Sequence, residues 1–581
     1  MKSIVAFLLL FVIVACESTP ADETASFPTH FELSEGMETA TYLQVIDFYI
    51  QLAKEFPEIN IQTIGNTDSG YPLHVVTFNS EGDFNFQKIG KDKIIMLINN
   101  GIHPGESDGI DATMLIYRDL ATGKLNAPKN TVLVTIPVYN IGGALNRNRT
   151  TRANQNGPKS YGFRGNAQNY DLNRDFIKAD TENARTFAEI FHLVNPDIFI
   201  DNHVSNGADY QYTLTHLFTQ HDKLGGELGQ YLHTEMMPAL ENTLEKDSWD
   251  ITPYVNVFNQ VPEQGFSQFF DHPRYSTGYT TLWNTLGMMV ETHMLKPYKQ
   301  RVEGTYQLMN SLIAISEADG TKIKELRQTA LTRHKTWDHY PIKWKVDTTR
   351  SSILNFKGFE ADTLTSKVTG LPRLKYDRSR PFTKEVMYQN YYVPSDSVLI
   401  PEFYILKKGW AKALQALEMN KVAYIPLESD TVLNVESYRI QDFQTRTHPY
   451  EGHYPHYDTT VKATQKSVRF MEGDIVIPTN QDAIRYLLET LEPSAADSFF
   501  NWNFFDTILQ QKEGFSPYVF EDNAVALLEQ DPELKEYFEL KKASDPEFAT
   551  NWYAQLNWLF KKSENYEPAH MQYPVYRVLK K

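Results

Sequence analysis

The sequence predicts an α/β protein with a mixed, largely parallel central sheet flanked by helices, followed by a β-rich and then a helical C-terminal region. Three observations predict it. Short, nearly continuous apolar runs of strand length, among them KIIMLINNG, TVLVTIPVYN, DIFIDNHVS and LGMMVETHM, alternate with longer stretches of helical apolar spacing. Beyond about residue 340 the chain becomes rich in Val, Thr, Tyr and Ile in short alternating runs such as SVRFMEGDIVIP. From about residue 480, QDAIRYLLETLE and DPELKEYFELKKA return to helical spacing.

Taken in order, the first sixteen residues, MKSIVAFLLLFVIVAC, form a targeting segment: Lys2 supplies the positive start and Ile4 to Ala15 an unbroken apolar core. That core is shorter than the roughly 20 apolar residues a spanning helix needs. Its end, Ile13-Val14-Ala15-Cys16, resembles the bacterial lipobox, which predicts an exported protein anchored through lipidated Cys16 and facing the periplasm or cell exterior. Cys16 is the single cysteine, so no internal disulfide forms. Residues 17–30 are polar and small, as in a flexible tether. A catalytic domain is expected over 31–335, a β-rich accessory domain over 340–480 and a helical region over 481–581.

Within the first domain, METATYLQVIDFYIQLAKEFP predicts a helix stopping before Pro57, and INIQTIG and PLHVVTF a hairpin turning at TDSGY. The strand KIIMLINNG precedes the loop IHPGES and the helix DGIDATMLIYRDLA. Between Gly142 and Asp175 the chain is rich in Asn, Gly and Arg without apolar periodicity, and a loop of that length inside a domain is usually functional. The 73 acidic against 56 basic residues, without a long basic run, argue against nucleic acid as a partner.

Ligands of such sheets bind beyond the carboxyl ends of the strands, and the chemistry-bearing residues fall there. His103 and Glu106, three apart in IHPGES, suit one metal, with Pro104 and Gly105 shaping the turn between them. They are followed by the Arg-rich NRNRTTR, by NYDLNRDF, by a strand ending near His203 and by an apolar strand carrying Glu291. A short His-rich run, HPYEGHYPHYD with His448, His453 and His456, reads as an aromatic surface loop.

This ordered set resembles the carboxypeptidase A family of zinc peptidases over residues 40–315. The resemblance implies one Zn2+ per chain on His103, Glu106 and His203, with Glu291 as general base and Asp171 orienting His103. It further implies that Asn173 and Arg174 bind the free C-terminal carboxylate of a peptide substrate. For the arginine that polarises the scissile carbonyl, Arg149 is preferred to Arg147 and Arg152, because R-T-T-R aligns best with the family's own Arg-x-x-Arg run. PRYSTGYTTLWN offers Tyr275 or Tyr279 as the tyrosine that closes over substrate, with Tyr279 favoured. The alternatives are a zinc-dependent N-acyl amino acid deacylase or amidase with the same ligand pattern, and a binding protein of the same fold without catalysis.

Overall fold

The structure is a computed structural model describing residues 27–580, so the targeting segment, Cys16 and most of the expected tether lie outside the described residues. Among the described residues no helix is long and apolar enough to cross a membrane. The helix Tyr42–Glu55 starts where Thr41 and Gln44 exchange side-chain and backbone hydrogen bonds, a capping box that satisfies two orphan N–H groups. Its inner face buries Val45, Ile46, Tyr49 and Leu52.

The predicted hairpin and strands follow as β1 (Ile59–Ile64), β2 (Leu73–Phe78), β3 (Ile94–Asn99), β4 (Thr131–Ile136), β5 (Ile198–Ser205), β6 (Leu214–Phe218), β7 (Ile251–Pro253), a short β8 (Phe266–Ser267) and β9 (Leu286–His293). Eight of them form one mixed sheet in the order β1-β2-β4-β3-β5-β9-β6-β7. The β4-β3-β5-β9 centre is parallel, and β1, β2 and the β6–β9 pair supply the antiparallel contacts. Every residue of β3, β4 and β5 is buried, because helices cover both faces. The connecting helices Asp108–Ala121 and Glu182–Val194 are followed later by a helix of 36 residues, Tyr298–Arg333, which packs along the first of these.

Fully buried Arg301, near the start of that long helix, ties the loops around the sheet's carboxyl end together. Its Nε donates to Asp108 Oδ2 at 2.9 Å, and its terminal nitrogens donate to the carbonyls of Asn156 (2.9 Å), Lys296 (2.7 Å) and Gly157 (2.9 Å). Asp108 opens the helix directly after the IHPGES turn, so this one cation fixes that turn and the Arg-rich loop relative to each other.

The C-terminal half contains β10 (His339–Val346), β11 (Ser352–Thr365), β12 (Pro372–Gln389), β13 (Tyr392–Leu399), β14 (Phe403–Leu406), β15 (Ile425–Pro426), β16 (Thr431–Thr445), β17 (His456–Phe470), β18 (Ile475–Pro478) and β19 (Gln572–Val578). β11 and β12 make a long hairpin that adds β8 as a third strand, joining the β-rich part to the first domain. Six strands form a second sheet, β15-β18-β14-β19-β16-β17. The boundary expected at residue 480 cuts across this sheet: after the helices Ile484–Leu491, Pro517–Gln530, Pro532–Ser544 and Trp552–Phe560, the chain returns as β19 between β14 and β16. The β-rich and helical regions are interlocked, because an apolar strand (Tyr573 and Val575 buried) needs a sheet to pair with, and the nearest is the earlier one.

Replacing Arg301 with Leu removes the counter-ion of buried Asp108, leaving it the hydrogen bond from Thr292 Oγ1, and should lower unfolding free energy by about 3–5 kcal/mol. Denaturant titration of the purified variant checks this, and a change under 1 kcal/mol would contradict the bracing role.

Candidate metal centre

The pleat of β5 places alternate side chains on one face, so Asp201 and His203 point the same way. Asp201 is wholly buried. Its Oδ1 accepts from Asn99 Nδ2 at 3.0 Å, and its Oδ2 pairs with His203 Nε2 at 3.0 Å and accepts from Ser276 Oγ at 2.5 Å. His103 is held in the same manner by a different carboxylate, its Nε2 lying 2.9 Å from Asp171 Oδ1. With both Nε2 atoms engaged, both Nδ1 atoms turn to Glu106: His103 Nδ1 is 3.1 Å from Oε1 and His203 Nδ1 3.0 Å from Oε2.

The turn that brings Glu106 there closes through its N–H donating to the His103 carbonyl at 2.8 Å. Gly105 is required at its tip, since a Cβ would come within 2.4 Å of Arg152 Nε. His103, Glu106 and His203 are all buried, and one donor atom from each lies within 4.8 Å of the others. Although it lies 3.1 Å from Glu106 Oε1, buried His103 Nδ1 makes no hydrogen bond among the described residues, and a buried polar atom is rarely left so. Two imidazole nitrogens and one carboxylate, each imidazole oriented by a second carboxylate, fit a zinc site that keeps a position open. These residues could hold a metal ion.

The charges support it. Burial opposes ionisation of Glu106, but Arg152 and His103 hold its carboxyl well below the usual range. Burial likewise opposes ionisation of Asp171, which His103, Arg164 and Arg174 keep ionised. Glu291 faces His203 directly across the β5–β9 pair. Burial pushes its carboxyl up to about 7 against the pull of His203, with Glu106 and Asp201 adding repulsion.

A cleft of about 320 Å³ opens over the three donors, and Arg164, Asn173, Arg174, Tyr275 and Glu291 line it. Asn173 is buried, its Nδ2 3.4 Å from His203 Nε2 and its Oδ1 accepting from the Ser276 N–H. The Arg174 guanidinium stacks 4.5 Å from the Tyr275 ring centre, and its nearest paired carboxylate, Asp171, is 4.0 Å away. The lining also includes buried Leu217 and Met289 with Phe258, Phe269 and Tyr254, beside polar Ser205, Asn206 and Asn256.

Two residues favoured by the sequence lie elsewhere. Arg149 is exposed and absent from this lining. Arg147 donates to the carbonyls of Thr39, Ala40 and Ser160, and Arg152 packs on Gly105 and pairs with Glu106 from behind. The arginine that does reach the cleft is Arg164, 3.6 Å from Glu106 Oε1 and paired with Asp171 at 2.8 Å. Its signal was its place in FRGN, seven residues before Asp171, which the denser RTTR run outweighed. Tyr279 is 1% exposed, packed among Phe176, Phe187 and Phe191, and donates to Asn420 at 2.6 Å, so its hydroxyl cannot enter the cleft. Tyr275 lies in the lining instead. Asp201, which orients His203, was also missed, although its i, i+2 spacing to that His was visible in DNH.

No known family model matches the chain, and no curated protein sequence does. Among solved structures it is similar to a metallo-carboxypeptidase from Burkholderia cenocepacia, at 15% identity and a TM-score of 0.36 over 47% of this chain and 68% of that one. It is also similar to carboxypeptidase A from Helicoverpa armigera, at 13% identity and 0.36 over 49% and 74% of the two chains. A metallo-carboxypeptidase from Pseudomonas aeruginosa matches at 11% and 0.35 over 48% and 69%. The likeness spans about half of this chain.

Zinc should stabilise the native protein and not a His103→Ala variant. At 100 times its dissociation constant the gain is about 2.7 kcal/mol, read as a rise in unfolding temperature. Equal shifts in both proteins would remove the three-donor site.

Proposed function

We propose that this protein is a zinc-dependent metallocarboxypeptidase that hydrolyses peptide bonds at or near a free C-terminus. The observation that carries the reading is the single cleft that His103, Glu106 and His203 share with Glu291, Arg164 and Arg174. Zinc bound by the three donors would lower the pKa of a coordinated water from 15.7 toward roughly 7 and polarise a carbonyl oxygen.

The chain's own residues supply the rest. Glu291, facing His203 across the β5–β9 pair, takes the water's proton and delivers it to the leaving nitrogen. Arg164 presents a guanidinium where oxyanion charge develops, anchored by Asp171 so that it needs no reorganisation. Arg174 offers a planar fork to the substrate's terminal carboxylate, and Asn173 sits beside it as a second donor. Tyr275, rather than Tyr279, has the position to close over the bound residue. Asp171 and Asp201 orient the two imidazoles. Leu217, Met289 and Phe269 in the lining, without a charged group beyond those already given roles, favour an apolar terminal side chain. A lipid-anchored location outside the cytoplasm follows from the lipobox-like segment ending at Cys16.

Two measurements test the reading. Glu291→Gln should keep zinc yet lose about 10²–10⁴ in kcat. Arg164→Ala should lose about 10²–10³, while Arg149→Ala stays within about twofold of native, since exposed positions away from the site change little. The reverse order for the two arginines would overturn the assignment. Second, a peptide with a free apolar C-terminal residue should be cleaved and its C-terminal amide resisted. Turnover of N-acyl amino acids alone would make the protein a deacylase.

A further inference from the structure

The run containing His448, His453 and His456 is not a free surface loop. It connects β16 and β17, and its tip turns back on itself through paired hydrogen bonds between Tyr450 and His453. Glu451 sits at φ +50° and Gly452 at φ +77°. The left-handed conformation is costly for a residue such as Glu, and persists only where the surroundings impose it.

What surrounds it is the metal-site loop. Glu451 Oε2 accepts the backbone N–H of Asp171 at 2.8 Å. Gly452 lies so close to Tyr170 that a Cβ would come 2.6 Å from its hydroxyl. His453 Nε2 lies 2.7 Å from Asp180 Oδ2, a carboxylate also held by fully buried Lys178 at 2.7 Å and by Lys412 at 3.1 Å. Buried Trp502 braces the tip from outside, stacked by Tyr450 and edge-on to His453. The tip thus grips the 170–180 segment at three successive residues, and the first grip is on the residue that orients His103.

We infer that the accessory region is a working part of the active site, and that Glu451 is a positioning residue which fixes the Asp171–Arg174 turn. The turn is a single 3-10 stretch, Leu172–Arg174, whose start is already capped by the Asp171 side chain bonding the Asn173 N–H. Asp171 therefore spends its Oδ1 on both Asn173 and His103, and its Oδ2 on Arg164. Its backbone must be held from elsewhere, and Glu451 does so. Loosening that hold lets the carboxylate that aims His103 and the guanidinium of Arg174 drift together. The inference rests on the proposed function for its kinetic consequence, but not for its effect on metal binding.

The test uses the full-length protein and the Glu451→Ala and Glu451→Gln variants. Gln keeps an oxygen that can accept the Asp171 N–H, while Ala does not. Glu451→Ala should weaken zinc affinity, measured by chelator competition, by about tenfold, the low end of the roughly 10–100-fold range for outer partners of metal ligands. At saturating zinc it should raise KM for a free-carboxylate peptide by a similar factor and change kcat less, because Arg174 anchors substrate. Glu451→Gln should restore both toward native, and unfolding midpoints should agree within a few degrees. Should Glu451→Ala fail to fold, Glu451→Asp, one methylene too short for the same contact, makes the same comparison. Native zinc affinity and native KM in a folded Glu451→Ala or Glu451→Asp would overturn the inference. If the native protein cleaves no peptide, the peptidase reading fails, and weakened zinc binding restored by Gln still supports the clamp.

Discussion

The register of β5 between β3 and β9 is the constraint on which the site depends. It sets Asn99 beside Asp201 and His203 beside Glu291. A slip of one residue in either pairing would turn Asp201 and His203 to the opposite face and carry the imidazole away from the cleft. The register is secured chemically as well as by packing: Asp201 takes a hydrogen bond from Asn99 on one neighbouring strand and another from Ser276, the first residue of the helix that precedes β9. Directional polar contacts of this kind inside a sheet are specific in a way apolar side chains are not. The same bonds that hold the strands therefore aim the imidazole.

The other half of the site is assembled on irregular backbone, and there the protein uses charge. Glu106, Asp171, Asp201 and Glu291 gather around a small volume, faced by His103, His203, Arg152 and Arg164. Such a cluster is favourable only if each carboxylate has a partner, and three of them do at hydrogen-bond distance. Glu291 is the exception. Burial, with repulsion from Glu106 and Asp201, drives its carboxyl toward neutral pH against the pull of His203 and Arg164. A dication at the three donors would relieve that repulsion.

Much of this was legible in the chain. The apolar runs located the strands because parallel strands are buried on both faces and leave a continuous signal, and the structure brings His103, Glu106 and His203 together as a group that could hold a metal ion. What was not legible lay where one segment folds over another. Arg149 and Arg164 occupy one loop, and only its path, doubled back so that Asn148 pairs with Tyr161, decides which reaches the cleft. Tyr275 and Tyr279 are one helical turn apart, and the closing of a short helix at Ser276–Thr281 turned the second into the core. The contact between Glu451 and Asp171 spans 280 residues, a distance at which no local pattern survives.

The interlocked second sheet has a consequence for how the protein comes into being. The hairpin that grips the Asp171 turn is built on β16, whose other neighbour is β19, residues Gln572–Val578. On the ribosome, His103, Glu106, His203 and the central sheet emerge more than 270 residues before that strand, as the numbers of His293 and Gln572 show. A nascent chain can collapse its first domain early, before the hairpin tip that contacts the Asp171 turn and the β19 strand beside β16 have been made. Alignment of the Asp171 turn is in this way tied to a segment made long after the central sheet, and a chain broken off before residue 451 would carry His103, Glu106 and His203 without that contact.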